Sequence, residues 1–181
     1  MTTLKPPYRF RDIPCFTPFT GYSVDVSWQH LESHIKAETE GANVDFNPDF
    51  QRGHVWPMSK RIAYVEFVLR GGNSANNLYF NCGSYQLVSG PPREYVLVDG
   101  KQRLTSVRMF LNDEVPIFGG LVRSDFVDRP DFLKARFRWN VNSLQTRAEI
   151  LQWYLDLNTG GVVHTDAEIE RVRKLLEAEK A

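Results

Sequence analysis

One junction constrains the chain more than any other stretch. Glu94-Tyr95-Val96-Leu97-Val98 reads as a strand, being rich in β-branched and aromatic residues. It runs without a linker into Asp99-Gly100, and a helical period begins at Lys101. Leu104, Val107, Phe110 and Leu111 recur on one face of that helix, which is expected to end at about Leu111. A strand that turns directly into an amphipathic helix has to bury the helix against a sheet. The remaining strands and helices do not alternate regularly, so the expected class is α+β. At 181 residues one domain is expected, spanning 1–181, with an irregular Pro- and aromatic-rich arm to about Gly21 and a C-terminal helix over 162–181.

The other elements follow from the same signals. Tyr22 to Val26 alternates as a short strand does. Ser27 reads as the N-cap of a helix to about Glu40, with Trp28, Leu31 and Ile35 on one face and Gly41 as the stop. Phe46 to Arg52 has turn chemistry. Pro57 suits the first turn of a helix carrying Ile62, Val65, Phe67, Val68 and Leu69 as core candidates and ending at Gly71-Gly72. A polar turn, Asn73 to Asn77, precedes a strand at Leu78 to Cys82, and Pro91-Pro92 lies before the strand at Glu94. Val115 to Phe118 and Ala135 to Val141 are expected as further strands. Thr146 to Leu157 is expected as a helix, and a last helix begins at Thr165, where Glu168 completes a capping box.

Composition excludes some functions. Lys plus Arg equals Asp plus Glu at 22 each, so bulk charge gives no general affinity for nucleic acid. The local run Lys134-Ala135-Arg136-Phe137-Arg138-Trp139 would place three cations on one strand face, either as a ridge for a nucleic-acid backbone or as the solvated side of a half-buried strand. Cys15 and Cys82 have no metal-ligand spacing and read as free thiols. No apolar run spans a membrane and the N-terminus has no signal-peptide core, so a cytoplasmic protein without a membrane partner is expected.

The Asp99 junction carries the chemistry. Asp99 can cap the helix, with Gln102 as its reciprocal partner. Gly100 permits a tight turn and the close approach of a ligand. Amides at a helix start and the helix dipole attract an anion. Lys101 adds a point charge, and Arg103 a guanidinium able to grip phosphate with two donors. By local chemistry alone, a plain capped helix with solvated cations accounts for the pattern equally well. His30 and His34 share a helical face but lack a third ligand, so the metal reading is the weaker one.

The stretch Val98-Asp99-Gly100-Lys101-Gln102-Arg103-Leu104-Thr105 resembles the Asp-Gly-Gln-Gln-Arg-Leu-Thr signature of the N-terminal domain of GmrSD-type restriction enzymes. Phe50-Gln51-Arg52-Gly53-His54-Val55-Trp56 is similar to that family's Tyr-Gln-Arg-x-x-x-Trp segment. Leu157-Asn158-Thr159-Gly160-Gly161, followed by Thr165 and Glu168, resembles its Asn-x-x-Gly region. The three occur in family order over roughly Val44 to Leu176, with Lys101 standing where the family has its first Gln.

The resemblance implies a ParB/sulfiredoxin-like fold, a small mixed sheet with packed helices. It also implies nucleotide binding and hydrolysis linked to cleavage of modified DNA. On that reading the site holds a nucleoside triphosphate of unspecified base with a divalent metal such as Mg²⁺. Arg103 is the main phosphate ligand, and Gln102 with the Gly100 and Lys101 amides completes the cradle. Gln51 and Arg52 approach from a loop. Asp99 either positions a metal ion or attacking water or only caps the helix. His54 is a candidate acid or base, although a loop residue with a structural hydrogen bond accounts for it as well. Trp56 reads first as a packing anchor. Family members carry a His-Asn-His nuclease domain that nothing here resembles, so cutting by that domain is not expected of this chain. Either the domain is an NTPase or DNA endonuclease, or it is a non-catalytic nucleotide- or DNA-binding regulator, or a phage decoy, acting through a partner nuclease or another copy of itself.

Overall fold

The computed structural model describes residues 13, 15–40, 42–51, 56–85, 93–128, 134–159 and 166–180. Five strands, β1 (Tyr22–Ser27), β2 (Ala42–Asp45), β3 (Asn77–Asn81), β4 (Arg93–Asp99) and β5 (Arg136–Asn142), form one sheet in the order β1-β5-β3-β4-β2. β1 pairs with β5 and β3 with β4 antiparallel, whereas β3 with β5 and β2 with β4 are parallel. The helices are α1 (Leu31–Thr39), α2 (Met58–Leu69), α3 (Lys101–Leu111), α4 (Arg147–Thr159) and α5 (Asp166–Lys180). The fold is α+β with a mixed sheet, as expected.

The sheet is buried on both faces. One face packs against α1, α2 and α3 around Trp28, Val65, Leu78, Phe80, Leu97, Val107 and Trp139. The Phe80 and Trp139 rings stack at its centre, 3.9 Å apart at 18°. The other face takes α4 and α5, with Phe50, Val98, Leu151, Tyr154, Val172 and Leu176 in a second cluster. Strand alternation produces this division: Tyr95 and Leu97 belong to the first core, and Val96 and Val98 to the second. Residues before β1 pack on the second side, where Thr17 donates to Asp156 through its amide (2.8 Å) and its hydroxyl (2.7 Å).

Several expectations are corrected. Ser27 ends β1 and makes no cap bond; a 3-10 turn, Trp28–His30, intervenes before α1. In α2 the core side is Tyr64, Val65 and Val68 with Arg61, while Phe67 is 43% exposed. Val115 to Phe118 is not a strand. Phe118, Gly119 and Gly120 all have positive φ, and the chain reverses there to leave one bridge, Ile117 to Leu121. β2 had no counterpart in the expectations, being four residues with two of them polar. Lys134 lies before β5, so Arg136 and Arg138 alone share a strand face.

Other signals match the structure. α3 has the expected bounds. After α2, Gly71 (φ +95°) and Gly72 return their amides to Val68 and Phe67 at 2.8 and 2.9 Å, closing the helix end. Thr146 and Glu149 cap α4: the Thr146 amide donates to Glu149 Oε2 (2.9 Å) and the Glu149 amide to Thr146 Oγ1 (3.2 Å). The expected Thr165 cap of α5 lies outside the described residues. Cys15 is exposed and Cys82 buried, both as free thiols. Among the described residues no helix is long and apolar enough to cross a membrane.

Candidate anion site at the start of α3

Asp99 closes β4 and Gly100 opens α3. The helix cap is Gly100 itself, in the left-handed region at φ +107°, with no side-chain cap bond. Only glycine fits there. A Cβ would stand 2.5 Å from Leu78 Cδ2 and 3.3 Å from the Asn77 carbonyl. The Gly100 carbonyl accepts the first helical bond, from the Leu104 amide at 2.9 Å. The amides of the first helical turn lack helical acceptors by geometry and carry the positive end of the dipole.

Asp99 is therefore not the cap that its position suggested. The register of β3 and β4 slips between Tyr79 and Phe80, so that Phe80 faces Leu97 while Tyr79 faces Asp99. The extra residue, Val98, makes a bulge that turns Asp99 toward Tyr79. Asp99 Oδ2 accepts a 2.6 Å bond from Arg103 Nη2, one turn along α3. Arg103 Nε donates to the Asn77 carbonyl at 3.2 Å. The two side chains are 30% and 20% exposed, so the pair sits partly out of water. Burial, with the Asp99 carboxylate next, holds the Tyr79 phenol above its ordinary pKa.

The second motif meets this junction at two points. Gln51 Nε2 donates to the Leu97 carbonyl on β4. The Trp56 amide donates to Gln102 Oε1 at 3.3 Å. Gln51 is positioned from behind by α4 and α5. Phe50 is buried against Tyr154, Arg147 grips the Asp49 carboxylate at 2.8 and 3.0 Å, and Arg171 donates to the carbonyls of Asp49 (2.7 Å) and Phe50 (2.9 Å). Trp56 packs edge-on against Tyr64 at 5.5 Å with Lys60 over its ring, as a packing anchor does. Arg52 and His54 lie outside the described residues, as do Gly160 and Gly161. Of the third motif, Leu157, Asn158 and Thr159 form the last residues of α4; Leu157 packs against the second core and Asn158 Nδ2 donates to the Tyr154 carbonyl at 2.6 Å.

The remaining candidates lie apart. His34 sets its ring edge-on to Trp139, and burial holds its pKa below the ordinary value. No group of three His, Cys, Asp or Glu residues stands together among the described residues. Arg136 pairs with Asp25 at 3.3 Å. Sequence reasoning missed Asn77 and Tyr79, which sit against the motif from β3 and carry no local signal for that role.

No curated protein and no solved structure matches the chain. A family model described as the GmrSD restriction endonuclease N-terminal domain matches residues 31–151, a span that takes in the Gln51 segment, the bulge, all of α3 and the start of α4. The chain therefore belongs to the family of GmrSD restriction endonuclease N-terminal domains, and its context is restriction and phage defence.

Proposed function

We propose that this domain binds the phosphates of a nucleoside triphosphate on the first turn of α3 and hydrolyses the nucleotide when a divalent ion is present. The observation that carries the reading is the convergence of two separate motif segments on one glycine-opened helix start, through Gln51 on Leu97 and Trp56 on Gln102. Anions favour that position because the amides and the dipole are already oriented. Arg103 is held by Asp99 and Asn77 through Nη2 and Nε, and its Nη1 has no partner among the described residues. The guanidinium is thus fixed in orientation with a donor to spare.

A divalent ion fits one carboxylate here. Mg²⁺ commonly takes one or two protein carboxylates and completes its shell with phosphate oxygens and water. Asp99 would be that carboxylate, and the ion would draw electron density from the phosphate under attack. Asp99 would have to exchange Arg103 for the ion, and the incoming phosphate gives Arg103 its new partner.

That exchange also favours a second reading. With its carboxylate held by Arg103, the domain binds nucleotide or DNA without turning it over and acts through a partner nuclease or a second copy of the chain. The two readings separate in one assay. Purified protein is incubated with each of four nucleoside triphosphates and Mg²⁺, beside Arg103→Ala. Phosphate release that the variant lacks supports hydrolysis, and Arg103-dependent binding without release supports the binding module. Failure of the native protein to bind either nucleotide or DNA rejects both.

A further inference from the structure

Arg61 is buried without a counter-charge among the described residues. Its side chain, on the second turn of α2, is in a residue only 7% exposed. Of its five donors the described residues satisfy one, Nε to the Trp56 carbonyl at 3.1 Å. Nη1 is sealed from solvent with no acceptor, and the guanidinium has no ion pair among the described residues. Keeping a charge in such a place is costly unless something pairs with it. Arginine is also the cation least able to escape by losing its proton.

Its location shows where the partner comes from. The same Trp56 whose carbonyl holds Arg61 donates its amide to Gln102 in the first turn of α3. Tyr64, one turn further along α2, lies within the electrostatic reach of Arg103, which pulls its phenol pKa down against the larger upward effect of burial. Arg61 is thus tied to the first turn of α3 through Trp56, which it holds by the carbonyl while Gln102 holds it by the amide.

We propose that Arg61 is a further phosphate ligand of this site, a second guanidinium that the bound oxyanion pairs from the α2 side. The proposal rests on the reading that α3 binds phosphate, and it adds a residue outside the matching motifs. It explains why a cation is retained where an apolar side chain would pack at lower cost. It also means that the ligand's negative charge is shared between α2 and α3, so binding ties the two helices together.

The test uses the whole chain with ATP and with inorganic tripolyphosphate, which has the charge but no base. Affinity and thermal midpoint are measured for the native protein, Arg61→Met, Arg61→Lys and Arg103→Ala. Arg61→Met is expected to melt no lower than the native protein when empty, because it removes an unpaired buried charge, yet to bind both ligands at least tenfold more weakly and lose the ligand-induced rise in midpoint. Arg61→Lys, which keeps the charge but not the two-pronged fork, is expected to fall at least threefold, and it decides the matter if Arg61→Met does not fold. Native affinity in the Arg61 variants, with binding lost in Arg103→Ala, overturns the role of Arg61 and leaves the α3 site standing. Weakened binding of ATP but unchanged binding of tripolyphosphate also overturns it, because the contact is then not to phosphate. No binding by the native protein overturns the site and Arg61 together.

Discussion

Asp99 and Arg103 hold each other across one turn of helix, with Nη2 of the arginine 2.6 Å from Oδ2 of the aspartate. A pair of this kind, partly exposed on both sides, contributes about 1 kcal/mol or less to stability. Its main effect is on binding, since each partner competes with what the other would take up. Asp99→Asn removes the charge that competes for Arg103. The expected outcome is tighter tripolyphosphate binding, by about threefold to tenfold, with metal-dependent phosphate release abolished. Arg103→Ala is expected to lose binding while the thermal midpoint shifts by only a few degrees. Calorimetric titration beside a release assay reads both, and weaker binding in Asp99→Asn counts against the competition.

Gly100 makes a separate prediction. Alanine there meets two obstacles, the positive φ and the contact with Leu78 Cδ2 at 2.5 Å. A residue held in a sparsely populated region costs about 1–3 kcal/mol, and the crowding adds to it. Chemical denaturation of Gly100→Ala should show that loss, together with weaker anion binding as the first turn of α3 is displaced. Full stability in the variant would mean that the turn relaxes without cost.

The α4 cap is titratable. Hydrogen bonds from the Thr146 amide, the Thr146 hydroxyl and the Gln145 amide hold the Glu149 carboxyl below its ordinary pKa. A depressed carboxylate stabilises the fold above its unfolded pKa, near about 4.3, and the contribution is lost as pH falls through the lower folded value. Thr146→Ala should cost about 1 kcal/mol at neutral pH, the usual worth of an N-cap. It should also flatten the acid limb of the stability curve. Denaturant midpoints from pH 7 down to pH 3 check both, and a limb of unchanged slope would place the acid sensitivity elsewhere.

His34 acts in a higher pH range. Burial lowers its pKa, and Glu38 opposes that only in part. The unfolded chain therefore takes up a proton at about pH 6.5, before the folded one does. The associated stability is complete above that pH and declines as pH falls toward the folded pKa. His34→Phe keeps an edge contact to Trp139 and has nothing to protonate. Its midpoint should change less than that of the native protein between pH 7.5 and 5.5, and an equal change would exclude His34 as the source.

The elements that could be read from sequence are those in which local and tertiary preferences agree. α3 was legible because its apolar period, its glycine and its preceding strand all point the same way. The Val115 to Phe118 strand failed because β-branched and aromatic residues there fill a turn: Ile117 and Val115 are fully buried, but Phe118 takes φ +45° and the chain reverses. β2 was missed because it is an edge strand of four residues, whose order comes from β4 rather than from its own pattern. In the site, Gln102 and Arg103 were visible as a motif, whereas the bulge that turns Asp99 away from capping depends on the register of a distant strand. Arg61 was invisible because a lone arginine on an amphipathic helix normally reads as surface.

The place of β5 in the sheet carries a consequence for synthesis. Among the described residues β1 pairs only with β5, through Tyr22 with Val141 to Ser27 with Arg136, and β5 also supplies the outer partner of β3. Until Arg136 to Asn142 leave the ribosome, β1 has no strand to join and one edge of β3 stays open. Loop closure over more than a hundred residues must precede completion of the sheet, which is slow and leaves hydrogen-bonding edges exposed to other chains. β5, the last of the described strands to be made, is therefore the one that joins β1 to the rest of the sheet, and a growing chain stalled before it is exposed to aggregation.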